Sequence, residues 1–125
     1  MVLIIGGAYQ GKLDCARKRY SLAEEEIYTC TETGGIAFGA RCIDRLEEFA
    51  LWCVRNGRDA VEIMKEHRAA WENGVLICAD IFCGVVPMGA DMRAWREAAG
   101  RLAHYLAAEA DSVTRVFCGI EEKLK

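Results

Sequence analysis

The sequence predicts a three-layer α/β domain, in which helices cover both faces of a mostly parallel sheet. Three apolar runs, at residues 2–5, 75–79 and 113–117, have the length and composition of buried strands. Segments with helical periodicity separate these runs, and such connections place consecutive strands side by side and parallel. We therefore expect the runs to be neighbouring parallel strands, within a single domain that spans residues 1–125.

The other elements of the first half follow from local patterns. Residues 12–20 form an amphipathic helix, and residues 27–30 form a short strand rich in β-forming side chains. Residues 36–38 fit either a minor strand or the first turn of the next helix. Apolar side chains then recur every three or four positions over residues 40–56, which predicts a second helix that Gly57 closes.

Two further helices and a charged tail complete the predicted pattern. Asp59 is placed to N-cap a third helix that ends at Trp71, with no strand between it and the preceding helix. Asp91 is placed to cap a long helix that runs to about Ala110, ahead of the third apolar run. We interpret residues 121–125 as a charged tail. The predicted order is therefore β-α-β-α-α-β-α-β.

A glycine-rich loop follows the first strand and has the spacing GxxxxGK, which is that of a phosphate-binding loop. Glycines let successive backbone N–H groups point at a phosphate, and the helix that follows adds a partial positive charge. Lys12 would reach the outer phosphates, so we predict that the loop binds GTP or ATP. The alternative is a glycine-rich turn without a ligand. The loop consists of Gly6, Gly7, Ala8, Tyr9, Gln10, Gly11, Lys12 and Leu13.

Two positions decide whether this loop also supports catalysis. Leu13 stands where a Ser or Thr hydroxyl normally ligates Mg²⁺, so the sequence casts doubt on a metal held at the loop. Asp80 follows the second apolar run, at the edge where parallel sheets build their sites. Together with Lys12, Asp80 is our candidate catalytic residue, and it is the candidate Mg²⁺ ligand. The alternative is that Asp80 only caps a turn or a helix.

Composition and charge narrow the classes of partner. The net charge is −3 and no basic cluster covers one face, so we expect no nucleic-acid partner. No apolar run approaches the roughly 18 residues of a membrane span, and the first run is too short for a signal peptide. We therefore expect a cytoplasmic protein with no membrane partner.

The cysteines give no sign of a metal site. The chain has 7 cysteines without a CxxC pair, which leaves a zinc site without its usual ligand spacing. Their odd number argues against a disulfide framework. We expect them to be small buried hydrophobic residues, with Cys83, in a loop beside a glycine, as the one candidate for reactivity.

Several segments share a pattern with one enzyme family. The matching residues are Gly6, Gly7, Ala8, Gly11 and Lys12, together with residues 80–87, Arg93 and residues 99–101, 106–111 and 119–125. From residue 75 onward the matches keep one register without gaps. The chain thus resembles the bifunctional adenosylcobinamide kinase and adenosylcobinamide-phosphate guanylyltransferase family, as a short and diverged member.

This resemblance implies a P-loop NTPase-like fold, often assembled as a homotrimer, with two activities. The family phosphorylates the aminopropanol hydroxyl of cobinamide, and it then transfers a guanylyl group through a guanylated histidine. The chain lacks the segment that carries that histidine, and His67 and His104 lie in helical patterns outside any matching context. Asp80 and Phe82 stand where the family has Glu and Gly. We therefore expect no guanylyl transfer.

Two classes of function remain open. The first is a diverged nucleotide-dependent kinase of cobalamin biosynthesis that acts on a corrinoid. The second is a non-catalytic P-loop protein that binds a nucleotide or serves as an oligomeric partner. In either case we expect a homo-oligomer, because Phe49, Trp52 and Trp71 are more large side chains than so small a domain buries easily. The resemblance suggests a trimer.

Overall fold

One sheet organises the chain, and a computed structural model describes it over residues 1–81 and 90–125. The strands are β1 (Val2–Gly6), β2 (Ile27–Thr29), β3 (Cys42–Asp44), β4 (Val75–Ala79), β5 (Ser112–Phe117) and β6 (Ile120–Lys123). The helices are α1 (Lys12–Tyr20), α2 (Leu46–Arg55), α3 (Ala60–Glu66), α4 (Arg68–Trp71) and α5 (Ala90–Glu109), and Glu24–Glu26 form a 3-10 turn. The strand order across the sheet is β2-β3-β4-β1-β5-β6.

The three apolar runs form the centre of the sheet, as the sequence predicts. β1 lies between β4 and β5 and pairs in parallel with both, so that Val2 is opposite Val75 on one side and Ser112 on the other. β2 and β3 extend the parallel part beyond β4, whereas β6 pairs antiparallel with β5. The predicted α/β fold with a mostly parallel sheet is therefore confirmed.

The prediction of one continuous helix over residues 40–56 is wrong at its start. Cys42–Asp44 form β3 between β2 and β4, and α2 begins only at Leu46. All three residues of β3 are buried. All three pair with β2, and Cys42 and Ile43 also pair with β4, so that strand pairing satisfies most of their backbone groups. Between the strand and the helix, Arg45 has a left-handed backbone with φ 59°. This short turn brings the end of β3 and the first turn of α2 to the same edge of the sheet.

Other local predictions have mixed outcomes. Asp59 N-caps α3 as expected, because its Oδ1 accepts hydrogen bonds from the backbone N–H groups of Val61 and Glu62. The predicted third helix is interrupted at His67, which separates α3 from α4. Residues 36–38 are neither strand nor helix. Residues 121–123 of the supposed tail form β6 together with Ile120. The long helix α5 begins at Ala90, so Asp91 lies in its first turn and does not cap it.

The two faces of the sheet carry different layers. On the four-helix face, α2, α3, α4 and α5 pack on alternate strand residues that include Leu3 and Leu76. On the α1 face, the side chains of Ile4 and Ile77 pack against Ala16 of α1. This alternation follows from the two-residue period of a strand and gives the predicted three layers.

The large aromatic side chains are buried better than the sequence suggests. Phe49 and Trp71 lie in the core of the four-helix face with 0% and 1% exposure, and Trp52 packs against it while partly exposed. The argument that the domain is too small to bury them is therefore wrong for Phe49 and Trp71, and the homo-oligomer stays a prediction. None of the helices within residues 1–81 and 90–125 has the length and apolar character to cross a membrane.

Most described cysteines behave as predicted. Cys30, Cys42, Cys53 and Cys78 are buried, and burial raises the pKa of each thiol above its usual range. Cys118 is different, because it is exposed in the turn between β5 and β6 with φ 49°. Its exposure corrects the expectation that it would be buried. Cys83, the candidate for reactivity, lies outside the described residues.

Candidate functional site

The glycine-rich loop of residues 6–13 leaves the carboxyl end of β1 with a conformation that its glycines permit. Gly6 has φ 154°, and a Cβ atom at this position would overlap the carbonyl oxygen of Val116 on β5. Gly11 has φ 91° and precedes α1 in the left-handed region. Tyr9 is also left-handed, with φ 59°, and its side chain is 99% exposed. The path of the loop therefore depends on glycine at two positions, and the side chain of Tyr9 does not pack against the core.

The amino group of Lys12 folds back over this loop. Its Nζ donates a hydrogen bond of 2.6 Å to the carbonyl oxygen of Gly7. Lys12 is half-buried at the first position of α1, so its charge lies at the open end of the helix. This is the arrangement in which a cation and a helix N-terminus act on the same space.

Gln10 fastens the loop to the turn that joins β5 and β6. The backbone N–H of Cys118 donates to Oε1 of Gln10 over 2.6 Å, and the N–H of Gly119 donates to its carbonyl oxygen over 3.0 Å. Both ends of the loop are thus fixed, one by β1 and the other by α1, while its middle is tied to β5–β6.

An open cavity of about 580 Å³ lies beside the loop, and we call it the acidic cavity. Residues 8–14 and Arg17 form its wall on the side of the loop and α1. The wall formed by β3 and α2 consists of Asp44, Arg45, Glu47 and Glu48, and Ala79, Ile81 and Trp95 complete the lining. A volume in this range is typical of small-molecule sites.

Asp44 contributes a buried carboxylate to this cavity. It ends β3, is 7% exposed, and accepts a hydrogen bond of 2.8 Å from the backbone N–H of Arg45. Burial raises the pKa of Asp44 above its usual range, while the nearby Lys12 acts weakly in the opposite direction. The ammonium group of Lys12 and the carboxylate of Asp44 therefore line the same cavity.

Glu47 links three elements around the cavity. Its Oε1 accepts a hydrogen bond of 2.9 Å from the N–H of Ala79, and its carbonyl oxygen accepts one of 2.7 Å from Nε1 of Trp95. The pairing of β3 with β4 stops at Ile43 and Leu76, so Glu47 replaces the missing strand partner of Ala79. Glu48, one residue on, is half-buried and its pKa is raised by burial and by Glu47.

Asp80 lies beside the loop, as the sequence predicts for the end of β4. Its N–H donates to the carbonyl oxygen of Gly6 over 3.0 Å, and its Oδ1 is 3.8 Å from where a Cβ of Gly7 would be. The structure therefore brings Asp80 next to the loop. Sequence reasoning missed Asp44 and Glu47, because both fell within the supposed helix.

The family comparison matches well over half of the chain. Residues 42–124 match the family described as cobinamide kinase / cobinamide phosphate guanyltransferase. The chain belongs to this family. A search of curated proteins returned no match.

Membership of the cobinamide kinase / cobinamide phosphate guanyltransferase family confirms the resemblance and the P-loop NTPase-like fold. The matched span begins at Cys42, so it includes Asp44, Glu47 and Asp80. The loop of residues 6–13 precedes the match, and its interpretation rests on its own geometry.

The two histidines of this family member belong to the four-helix face, with His67 between α3 and α4 and His104 on α5. The ring of His67 stacks on Phe38 with 4.2 Å between centroids, and its Nδ1 is 3.0 Å from the carbonyl oxygen of Ile63. His104 is exposed on α5. Within residues 1–81 and 90–125, no three His, Cys, Asp or Glu side chains are grouped to hold a metal ion.

Proposed function

We propose that this family member binds the phosphates of GTP or ATP at residues 6–13 and transfers the terminal phosphoryl group to a hydroxyl of a corrinoid. One observation carries the proposal: Lys12, the open start of α1 and the buried carboxylate of Asp44 line a single cavity. The family to which the chain belongs includes cobinamide kinases. Phosphoryl transfer uses cationic groups to stabilise the phosphates and a carboxylate to orient or deprotonate the hydroxyl.

The loop fits a phosphate chain. Its backbone N–H groups and the start of α1 supply donors, and Lys12 would exchange its bond to the Gly7 carbonyl for a phosphate oxygen. Since Gln10 anchors the loop to the β5–β6 turn, these donors are held in place before a ligand arrives. Such pre-organisation lowers the free-energy cost of binding.

Carboxylates at the opposite wall fit the acceptor side of the reaction. The hydroxyl oxygen would form its bond to the terminal phosphorus as the bond to the bridging oxygen breaks, and the hydroxyl proton would pass to Asp44 or Asp80. The raised pKa of Asp44 suits a proton acceptor, because a base works best when its pKa is near the working pH. Lys12 would stabilise the charge on the transferred group.

The same residues fit Mg²⁺ only in part. Asp44 and Asp80 would be its protein ligands, whereas Leu13 offers no oxygen and packs partly against the core of the α1 face. When bound, Mg²⁺ would neutralise charge on the nucleotide phosphates. The loop donors do not depend on that ion, so binding of the phosphates should show little dependence on Mg²⁺.

Guanylyl transfer is not part of this proposal. It requires a histidine that carries a covalent GMP, and neither His67 nor His104 lines the acidic cavity. Incubation with labelled GTP should leave no acid-labile, base-stable label on the protein. Stoichiometric labelling of either histidine would contradict this part of the proposal.

A second candidate function is nucleotide binding without catalysis, which the hydrophobic side chain of Leu13 favours. Calorimetry with GTP and ATP, with and without Mg²⁺, tests binding, and a phosphorylation assay with cobinamide tests transfer. Product formation supports the kinase, while binding without product supports the second candidate. Leu13→Thr should increase the Mg²⁺ dependence if the site is intact. Lack of binding of any nucleotide or inorganic phosphate at millimolar concentration would contradict both candidates.

A further inference from the structure

Three cationic side chains line the acidic cavity, and among the described residues only one of them has a charged group without a bond. Nζ of Lys12 donates to a carbonyl oxygen of the loop. The guanidinium of Arg17 forms salt bridges with two nearby acids. The guanidinium of Arg45 makes no hydrogen bond or salt bridge within residues 1–81 and 90–125, and its side chain is exposed on the wall opposite the loop.

The fold holds Arg45 in a position that local energetics do not favour. Its backbone is left-handed, with φ 59° and ψ 50°, a conformation that residues with a Cβ atom rarely adopt. Arg45 is also the N-cap of α2 and makes no side-chain capping bond, so its charge lies at the positive end of the helix dipole. Glycine or asparagine would suit this position better. Residues that cost stability at the wall of a site are often those that serve its chemistry.

The charge of Arg45 acts on the same carboxylate as the charge of Lys12. Asp44 directly precedes Arg45, whose backbone N–H donates to Oδ1 of Asp44 over 2.8 Å. Burial raises the pKa of Asp44, whereas this hydrogen bond and the charges of Arg45 and Lys12 oppose the rise. Lys12 belongs to the loop and Arg45 to the start of α2, which are opposite walls of the cavity. The space beside Asp44 therefore has a cation on either side.

We propose that Arg45 is a catalytic residue of phosphoryl transfer and that its guanidinium binds the equatorial oxygens of the transferred group. The inference rests on the proposed function, because it takes the phosphates to lie on residues 6–13. As the hydroxyl oxygen bonds to phosphorus, the bond to the bridging oxygen breaks and its electron pair leaves with the nucleoside diphosphate. The hydroxyl proton passes to Asp44 or Asp80. Arg45 stays protonated and only donates hydrogen bonds, two of which fit neighbouring phosphate oxygens.

Arg45→Gln tests the charge while the residue keeps a Cβ atom and a polar side chain. A phosphorylation assay with cobinamide should give a kcat about a hundredfold or more below that of the wild type, because the lost contact strengthens in the transition state. In calorimetry, affinity for GTP or ATP should fall by about tenfold, whereas affinity for the diphosphate, which lacks the terminal phosphate, should not change. Arg45→Lys keeps the charge without the planar fork and should recover part of kcat.

Arg45→Gly separates catalysis from stability. Glycine adopts the left-handed backbone without strain, and the substitution removes a cation from the start of α2. This variant should therefore lose transfer as Arg45→Gln does, while its thermal unfolding midpoint rises by about 2–4 °C. A lower midpoint together with loss of transfer would indicate a structural role and overturn the inference.

Arg58→Gln is the matched control, because it removes the same charge from an exposed arginine beyond the other end of α2. It should keep the wild-type kcat and both affinities. A wild-type kcat in Arg45→Gln, or an equal loss in the control, would overturn the role of Arg45 and leave the kinase standing. Absence of transfer by the wild type would overturn the proposed kinase and this inference together.

Discussion

The two faces of the sheet differ in how much of the chain covers them. The four-helix face buries a large core that includes Phe49, Met64 and Trp71, with contributions from α2, α3, α4 and α5. The α1 face has a much smaller core, and Ala16 is the one fully buried residue of α1. The residues proposed to bind phosphate lie at the edge of this thinner layer.

This difference separates stability from ligand binding. Hydrophobic burial stabilises in proportion to the area removed from water, so most of the folding free energy should come from the four-helix face. Regions with few buried apolar contacts open at lower free energy, and ligand-binding elements are often found among them. We therefore expect substitutions on the two faces to affect different measurements.

Phe49→Ala should have the largest effect on stability. Phe49 is fully buried, and loss of such a ring costs about 3–5 kcal/mol through lost transfer free energy and a residual cavity. Leu22→Ala on the α1 face should cost less, about 2 kcal/mol, because Leu22 keeps 9% exposure and its site can relax more easily. Urea unfolding of both variants measures the difference. Equal losses would show that the smaller core matters as much as the larger one.

Lys12→Ala should affect binding rather than stability. It removes the charged donor of the loop, and a charge-assisted contact contributes about 1.5–3 kcal/mol, or about tenfold to a hundredfold in affinity. Calorimetry with GDP or tripolyphosphate gives the affinity, and thermal unfolding gives the stability. Lys65→Ala, on α3 of the other face, removes the same charge and should leave affinity unchanged. Loss of affinity in both variants would mean that only net charge matters.

Asp59→Ala should lower stability and leave affinity unchanged, which is the opposite of the result expected for Lys12→Ala. Asp59 accepts from two backbone N–H groups at the start of α3, and loss of an N-cap costs about 1 kcal/mol. Unfolding in urea should show this loss, while phosphate affinity should not change. A change in affinity would indicate that the two faces are coupled.

Asp44→Asn should have the smallest effect, and its size should depend on pH. Burial raises the pKa of Asp44 in the folded state, so its favourable contribution is present below the unfolded pKa of about 4 and is lost as the pH rises through the folded value. Asn carries no charge and can still accept the hydrogen bond from Arg45.

The variant should therefore gain stability relative to the wild type as the pH rises, and the two should be closest in acid. Urea midpoints across this pH range provide the measurement. If the difference between the urea midpoints of the variant and the wild type does not change with pH, the pKa of Asp44 is not raised in the folded state. Under the proposed function, the same variant should lose phosphoryl transfer at neutral pH if Asp44 accepts the hydroxyl proton, and should keep it if Asp80 does.

Elements specified by their own local sequence could be predicted. β1, β4 and β5 are continuous apolar runs, and the Asp59 cap and the left-handed Gly57, with φ 63°, follow from single residue types. The loop could also be placed, because its glycines and Lys12 have a fixed spacing. In these cases local preference and tertiary pairing agree.

Elements specified by pairing could not be predicted. β3 is three residues long, and the spacing of Ile43, Leu46 and Phe49 continues a helical pattern across its end. Pairing with β2 and β4 makes this segment a strand. Because the prediction extended the helix over it, Asp44 and Glu47 were assigned to the helix and not to the edge of the sheet. β6 is exposed and charged, and its pairing with β5 alone identifies it. An apolar pair followed directly by an acid, as in Cys42-Ile43-Asp44, was the signal that could have located β3.

The hydrogen bond from Nε1 of Trp95 to the carbonyl oxygen of Glu47 should make the fluorescence of this tryptophan sensitive to ligand binding. Trp95 is half-buried and lines the acidic cavity, so a ligand that enters there changes the polarity and hydrogen bonding around its indole ring. Trp71 is buried in the core of the other face, where its Nε1 donates a hydrogen bond to the carbonyl oxygen of Met64. Its fluorescence should therefore not change when a ligand binds. Ligand binding can therefore be followed by intrinsic fluorescence, with Trp95→Phe as the silent reference.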